Sequence, residues 1–482
     1  MRQRLREISE RDVRALIVDS AATAPAVLPV YRTRMARATV DPVMQATPRH
    51  TTHDGNGGHH GALHHSEAAG ADEPTSDVRA RGAVLSMTLC VMVLIASEFM
   101  PVSLLTPIAS DLGITEGQAG QAISISGVFA VVTSLLIAAA SQRLDRRRLL
   151  LSLTGVTVLS GVLVAAAPNY ALFMAGRALL GIAIGGFWSM STATIMRLVP
   201  AERVAGALAV LNGGNALAAT VAAPLGSFAG GLIGWRGAFF CVVPLALATL
   251  AWQFVSLPSM PPNGQRSSQN VFLLLRRVPV AYGMAAMLLL FMGQFALFTY
   301  LRPFLESVTK VDVSTLSLLL LGIGLSGLAG NALVGPLLQR RLTQVVTLIP
   351  LAMAAVAVSL IVFGGSVWAV AALLVAWGLF STPAPVGWGT WLTRTLPDDA
   401  EAGGGLMVAT IQFAITLGAF LGGMAFDAMG HQSTFSMSAA LLCAGGLLAF
   451  KAGQRQMHAQ VPAVIGATVN SPSLREATCE QQ

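Results

Sequence analysis

Ala96-Ser97-Glu98-Phe99-Met100-Pro101-Val102-Ser103-Leu104-Leu105-Thr106-Pro107 closes the first long apolar segment of the chain, which begins near Ala83. Glu98 stands well inside that segment. A carboxylate at such a depth in hydrocarbon costs roughly 2.5–3.5 kcal/mol on insertion scales, so it needs a partner, a watery cavity or a proton. Pro101 and Pro107 loosen the helix at and just beyond the acid, as befits a helix that lines a cavity. The stretch reads either as a proton or substrate site, or as a packing carboxyl held by a basic group.

Composition places this stretch in a larger pattern. Of 482 residues, 54% are hydrophobic and only 11% charged, whereas a soluble chain carries about a quarter charged. The apolar residues fall in long blocks separated by short polar breaks, the signature of a polytopic membrane protein. From Ala83 to Lys451 the sequence reads as twelve spans, each near the ~20 residues that a bilayer requires. The net charge of +7 does not point to nucleic acid, because the arginines lie in the N-terminal tail and in loops on one side. That side holds Arg143, Arg146, Arg147, Arg148, Arg197, Arg203, Arg266, Arg276, Arg277, Arg340, Arg341, Arg394, Lys451 and Arg455, against Arg236, Arg302 and Lys310 on the other. By the positive-inside rule the first side is cytoplasmic, with both termini there. Cys90, Cys241, Cys443 and Cys479 show no metal or disulfide spacing.

The expected organisation is an extension over 1–80, a six-helix bundle over 81–257, a linker over 258–279, a second bundle over 280–452 and a tail over 453–482. The extension is polar and basic, with His50, His53, His59, His60, His64 and His65, and lacks the apolar core of a secretory signal. It and the tail read as disordered. The linker is rich in Pro, Ser, Gln and Arg. An internal repeat supports the division. Arg197-Leu198-Val199-Pro200 matches Arg394-Thr395-Leu396-Pro397, and Leu225-Gly226-Ser227-Phe228-Ala229-Gly230-Gly231 matches Leu417-Gly418-Ala419-Phe420-Leu421-Gly422-Gly423, at offsets of 197 and 192 residues. Each span keeps its direction in the second copy, so the repeat axis runs along the membrane normal. The expected fold is an all-α membrane protein of twelve transmembrane helices in two pseudo-symmetric six-helix bundles, the major facilitator architecture.

Glu98 and Arg177 are the ionisable groups deep within spans. At ~1.5 Å per residue they lie at matching depths. They read as a switch, in which protonating Glu98 releases the arginine, or as a static ion pair that fixes packing. Aromatic and amide side chains supply candidate solute contacts: Phe99, Trp188, Asn212, Gln294, Tyr300, Trp388 and Gln412. Flat rings and amides suit a planar heteroaromatic solute, through stacking and edge hydrogen bonds. A ring is equally at home in packing; an amide in hydrocarbon must find a partner. No glycine run carries the Lys-Ser/Thr of a phosphate loop, so an ion gradient is the expected energy source. The spans hold no histidine, which argues against a membrane-embedded enzyme.

Several stretches taken together resemble the drug:proton antiporter branch of the major facilitator superfamily. They are EFMPVSLLTPIASDLGITEGQAGQ (98–121), GGFWSMS (185–191), MRLVP (196–200), APLGSF (223–228), IGWR (233–236), GQFALFTYLRP (293–303) and PVGWGTW (385–391). The resemblance covers about 81–452. It implies proton-coupled efflux of purine ribonucleosides such as inosine and guanosine across a bacterial inner membrane by a monomer without cofactor, its partners being solute, protons and lipid. Relatives in the branch export drugs or sugars instead. Arg177 with Gly181 resembles the fourth-helix motif associated with proton transfer, and Ala223-Pro224-Leu225-Gly226 the fifth-helix antiporter motif. Leu144-Asp145-Arg146 resembles the core of the cytoplasmic loop motif that latches the halves. The flanking glycines of that motif are missing here, which leaves Asp145 to pair with an arginine or to cap a helix.

Overall fold

The computed structural model describes residues 73–141, 143–261, 271–396 and 399–469. The histidine-bearing stretch of the extension and linker residues 262–270 lie outside the described residues. The helices are α1 (Glu73–Leu112), α2 (Glu116–Ser141), α3 (Arg146–Ala165), α4 (Tyr170–Leu198), α5 (Ala201–Phe240), α6 (Val242–Ser256), α7 (Val278–Thr299), α8 (Val313–Phe363), α9 (Val367–Ser381), α10 (Ala384–Thr395) and α11 (Ala400–Val469). Nine helical stretches among the described residues are long and apolar enough to cross a membrane. Three of them, Ala201–Ser256, Val313–Phe363 and Ala402–Gln454, contain a break at Gly234, Arg341 or Gly430 and cross twice, which makes twelve spans.

Local chemistry sets the ends. Asn169 caps α4 by accepting from the Leu172 N–H at 2.9 Å, and Asp312 caps α8 by accepting from Ser314 at 3.0 Å. α1 begins at Glu73, ten residues before the apolar run expected from Ala83, because the polar turn ahead of that run is also helical. The tenth span is broken at Thr382 and Pro383 into α9 and α10. Pro383 and Pro385 carry no N–H and cannot continue the ladder. The helical path at the C-terminus continues to Val469, past the boundary expected at 452.

The bundles have apolar interiors that run together where the halves meet, Val102, Ile123 and Ala223 joining the second bundle's cluster and Tyr300 one of the first bundle's. Met87, Leu94 and Phe187 anchor one cluster of the first bundle, and Leu104, Phe173 and Trp235 another. Phe291, Phe304, Trp377 and Phe435 anchor the second bundle. Leu232, Val255, Val362 and Trp368 point outward, where hydrocarbon rather than a core would receive them. The repeat is visible in the backbone. Gly234 (φ 74°, ψ 165°) and Gly430 (φ 72°, ψ −163°), 196 positions apart, turn the chain between the last two spans of each bundle.

The halves meet mainly away from the arginine-rich end. Asp427 at the end of its span accepts from Thr115 Oγ1 at 2.6 Å and from the Gly117 N–H at 3.0 Å. Tyr300 fills the space beside Gly120 so closely that no Cβ would fit. Thr220 on α5 donates to Gly324 O on α8 at 3.4 Å, and Ser124 on α2 to Thr416 O on α11 at 3.1 Å. Towards the arginine-rich end, by contrast, a Cβ at Gly206, Gly213, Gly335, Gly404 or Gly405 would meet nothing within 4 Å. Among the described residues, the hydrogen bonds that join the halves gather towards the arginine-poor end, which is closed.

At Gly234 and Gly430 the φ/ψ values belong to a region essentially reserved for glycine, and no neighbour occupies the space of a Cβ. Replacing either by Ala therefore costs backbone conformation alone, about 1–3 kcal/mol. Thermal unfolding of the purified protein in detergent is expected to show a lowered midpoint for each single variant.

Candidate functional site

Glu98 is only 5% exposed, and Arg177 on α4 is fully buried. The structure brings them together, but not as a direct ion pair. Arg177 Nη1 donates to the carbonyl of Ser97 at 2.7 Å and Nη2 to the carbonyl of Glu98 at 3.3 Å. Nε donates to Ala122 O at 3.1 Å and Nη2 also to Ser126 Oγ at 3.3 Å. The ion pairs found among the described residues are Arg236–Asp111, Arg277–Asp399 and Arg302–Glu306.

The reason lies in Pro101. A helical N–H bonds the carbonyl four residues earlier, and proline has none. The carbonyl that Pro101 leaves without a helical donor is that of Ser97. The guanidinium fork fills this vacancy and reaches α2 with its other nitrogens. It thereby ties α1, α2 and α4 together at the level of Glu98. Buried charge needs hydrogen bonds on every side, and three helices supply them.

The Glu98 carboxyl instead lies near the side chain of Gln412 on α11, in the opposite bundle. Phe99 also faces that bundle. It stacks on Phe295 with centroids 5.9 Å apart and meets the edge of Phe298 at 6.4 Å. Gln412 Oε1, Gln294 Oε1 and Trp388 Nε1 are buried with no protein partner. Such atoms are costly to leave dry, and together they offer two acceptors and one donor for a solute or water.

The remaining candidates separate. Trp388 packs edge-to-face on Trp391 at 5.4 Å. Trp188 is half-buried against Phe187. Asn212 is exposed and spends its amide on Leu208 O, one turn back on its own helix. Tyr300 is fully buried near the closed end, with its hydroxyl donating to Ala419 O at 2.8 Å and its ring stacked on Phe426. It serves the seam between bundles.

At the arginine-rich end Asp145 caps α3, accepting from the Arg147 N–H at 2.7 Å. It also accepts from Ser259 Oγ at 2.5 Å and from the Met260 N–H at 3.1 Å, and Met260 O receives the Arg146 N–H at 3.2 Å. Burial pushes the Asp145 carboxyl up, but the hydrogen bonds from Ser259, Met260 and Arg147, with the nearby Arg148 charge, outweigh it and hold the group below the usual carboxylate range. All these contacts lie within the first bundle and pin the chain where it leaves α6. Sequence reasoning passed over Ser126 and the Ala122 carbonyl as partners of Arg177. The proline at 101 was the signal for Ser97.

Comparison with known proteins adds to this geometry. Residues 87–404 match the family described as Major Facilitator Superfamily. The chain is 57% identical over 369 residues to "Transcription regulatory protein OpdE" of Pseudomonas aeruginosa, covering 76% of this chain and 92% of that protein. It is 42% identical over 360 residues to "Purine ribonucleoside efflux pump NepI" of Salmonella typhimurium, covering 75% and 91%. Among solved structures, a D-xylose-proton symporter superimposes with a TM-score of 0.65 at 16% identity, covering 77% of this chain and 97% of that one.

Arg177→Lys keeps the charge but loses the fork. It is expected to forfeit at least one charge-assisted hydrogen bond, about 1.5–3 kcal/mol, read as a lowered unfolding midpoint in detergent. Asp145→Ala removes a helix cap worth ~1 kcal/mol and should speed amide exchange at Met260. Because the Asp145 carboxyl is held low, its ionised contribution is complete above the ordinary carboxylate range and fades only as pH falls through the depressed value. At pH 7 the parent therefore retains the full protection at Met260 against which the variant is compared.

Proposed function

We propose, from the premise that the chain belongs to the Major Facilitator Superfamily, that it exports purine ribonucleosides such as inosine and guanosine across a bacterial inner membrane while protons enter. The observation that carries this reading is the 42% identity to a purine ribonucleoside efflux pump over 91% of that pump's length. The arginine bias supports a cytoplasmic arginine-rich end. With that orientation the halves are joined at the outer side, the arrangement expected of a state that loads an exported solute.

In this mechanism Glu98 is the proton carrier. It lies near Gln412 across the bundle interface, so taking up or losing a proton changes the electrostatics between the two halves. Arg177 acts as the frame that holds α1 in place beside the acid. Phe99 supplies a ring face, and Gln294, Gln412 and Trp388 supply unpaired edge groups to a purine base. Exchange of a neutral nucleoside for one proton moves net charge, so the membrane potential adds about 2.3 kcal/mol per 100 mV. Asp145 and Arg146 hold the loop after α2 against the end of α6 in this inward-open state.

The regulatory name of the Pseudomonas aeruginosa relative favours a second reading, in which the same cavity senses a solute without net transport. Uptake of labelled inosine into inverted membrane vesicles under an imposed pH gradient separates the two. The expected result is gradient-driven accumulation that Glu98→Gln abolishes while inosine exchange persists. Absence of uptake favours the sensing reading, and accumulation of sugars or dyes in place of inosine would reassign the solute. Driven uptake unchanged in Glu98→Gln would remove Glu98 from the coupling.

A further inference from the structure

The second proline of α1 repeats the logic of the first. Pro107 cannot donate to the carbonyl of Ser103, four residues earlier. That carbonyl accepts instead from Arg302 Nη1, in the opposite bundle. Arg302 is 5% exposed, and its Nε is held by Glu306 Oε1 at 2.8 Å, one turn on. It sits in the short helical turn Leu301–Phe304, where α7 gives way to a π-helical turn, Leu305–Thr309. The two orphaned carbonyls of α1 are therefore filled by two buried arginines, with opposite consequences. Arg177 and Ser97 belong to the same bundle, and their bond survives any relative motion of the halves. Arg302 and Ser103 belong to different bundles, and theirs must break when the closed end opens.

We infer that Arg302 is the gate residue of the closed end, and that the carbonyl freed by Pro107 is its catch. Glu306 holds the guanidinium in place and receives it when the catch is released, so the arginine is never left unpaired in a buried site. The Ser103 carbonyl passes to water that enters the opened cleft. This accounts for a proline at 107 in a helix otherwise tightly packed: it creates a backbone acceptor that no substitution of the Ser103 side chain can remove. The gate needs only the family's alternating halves and holds whichever solute is carried.

The test measures the separation of the halves at that end without any solute. Cysteines at Ser110 on α1 and Ser314 on α8, both exposed, carry spin labels in a background in which Cys90, Cys241, Cys443 and Cys479 are replaced by serine. Distance distributions are recorded on the purified protein in nanodiscs. Loss of one charge-assisted buried hydrogen bond is expected to raise the ratio of long to short distances about tenfold in Arg302→Gln. Pro107→Ala restores a helical N–H that competes for Ser103 O and is expected to shift the ratio the same way, although it favours the helix. The double variant is expected to add little to either single one, because both act on one bond. A Pro107→Ala distribution identical to the parent's overturns the proposal, whatever becomes of Arg302→Gln, and so does full additivity in the double variant. Neither result bears on inosine uptake, so the gate and the transport reading fail separately.

Discussion

A backbone carbonyl that loses its helical donor within a membrane has no water to turn to. Two prolines impose this condition twice on α1, at Ser97 and at Ser103, and arginines from other helices meet it. Much of the molecule's organisation follows from these two bonds. The first fixes α1 against α2 and α4 and sets the Glu98 carboxyl free to face the opposite bundle. The second closes the bundle interface beyond it. An arginine suits both places because its planar fork serves several acceptors at once and its charge is not surrendered.

The contact between halves is uneven along the membrane normal. Towards the arginine-poor end, small residues let α2, α5, α8 and α11 approach until backbone meets side chain, as where Gly324 rests on Thr220. Towards the other end, several glycines of α5, α8 and α11 face open space. The apolar clusters run across the seam, with Val102, Ile123 and Ala223 packed into the second bundle's cluster and Tyr300 into one of the first bundle's. The hydrogen bonds that cross it are few.

Between these ends lies a region where polar atoms are left without protein partners. Gln294, Gln412 and Trp388 are there in the second bundle, opposite Glu98 and Phe99 in the first. Other buried side chains, such as Ser227, Gln253 and Asn331, also have a polar atom without a protein partner. Tyr300 and Asn212 differ from these, since their polar groups are already spent on carbonyls.

Read alone, the sequence determined the membrane class, the twelve spans, the six-plus-six repeat and the burial of two ionisable groups, Glu98 and Arg177. These follow from one-dimensional quantities: the length of apolar runs, the placement of arginines, and the rarity of charge in hydrocarbon. Only the tertiary structure decided partners. Matching depth suggested that Arg177 would bond the Glu98 carboxylate, yet the vacancy left by Pro101 draws the guanidinium to backbone carbonyls. Arg302 looked like a loop residue near a helix end and proves to be a buried link between halves. The physical reason is the same in each case. A hydrogen-bond donor in a dry interior goes to whichever acceptor lacks one, and which acceptor that is depends on residues brought close by folding, hundreds of positions apart in the chain.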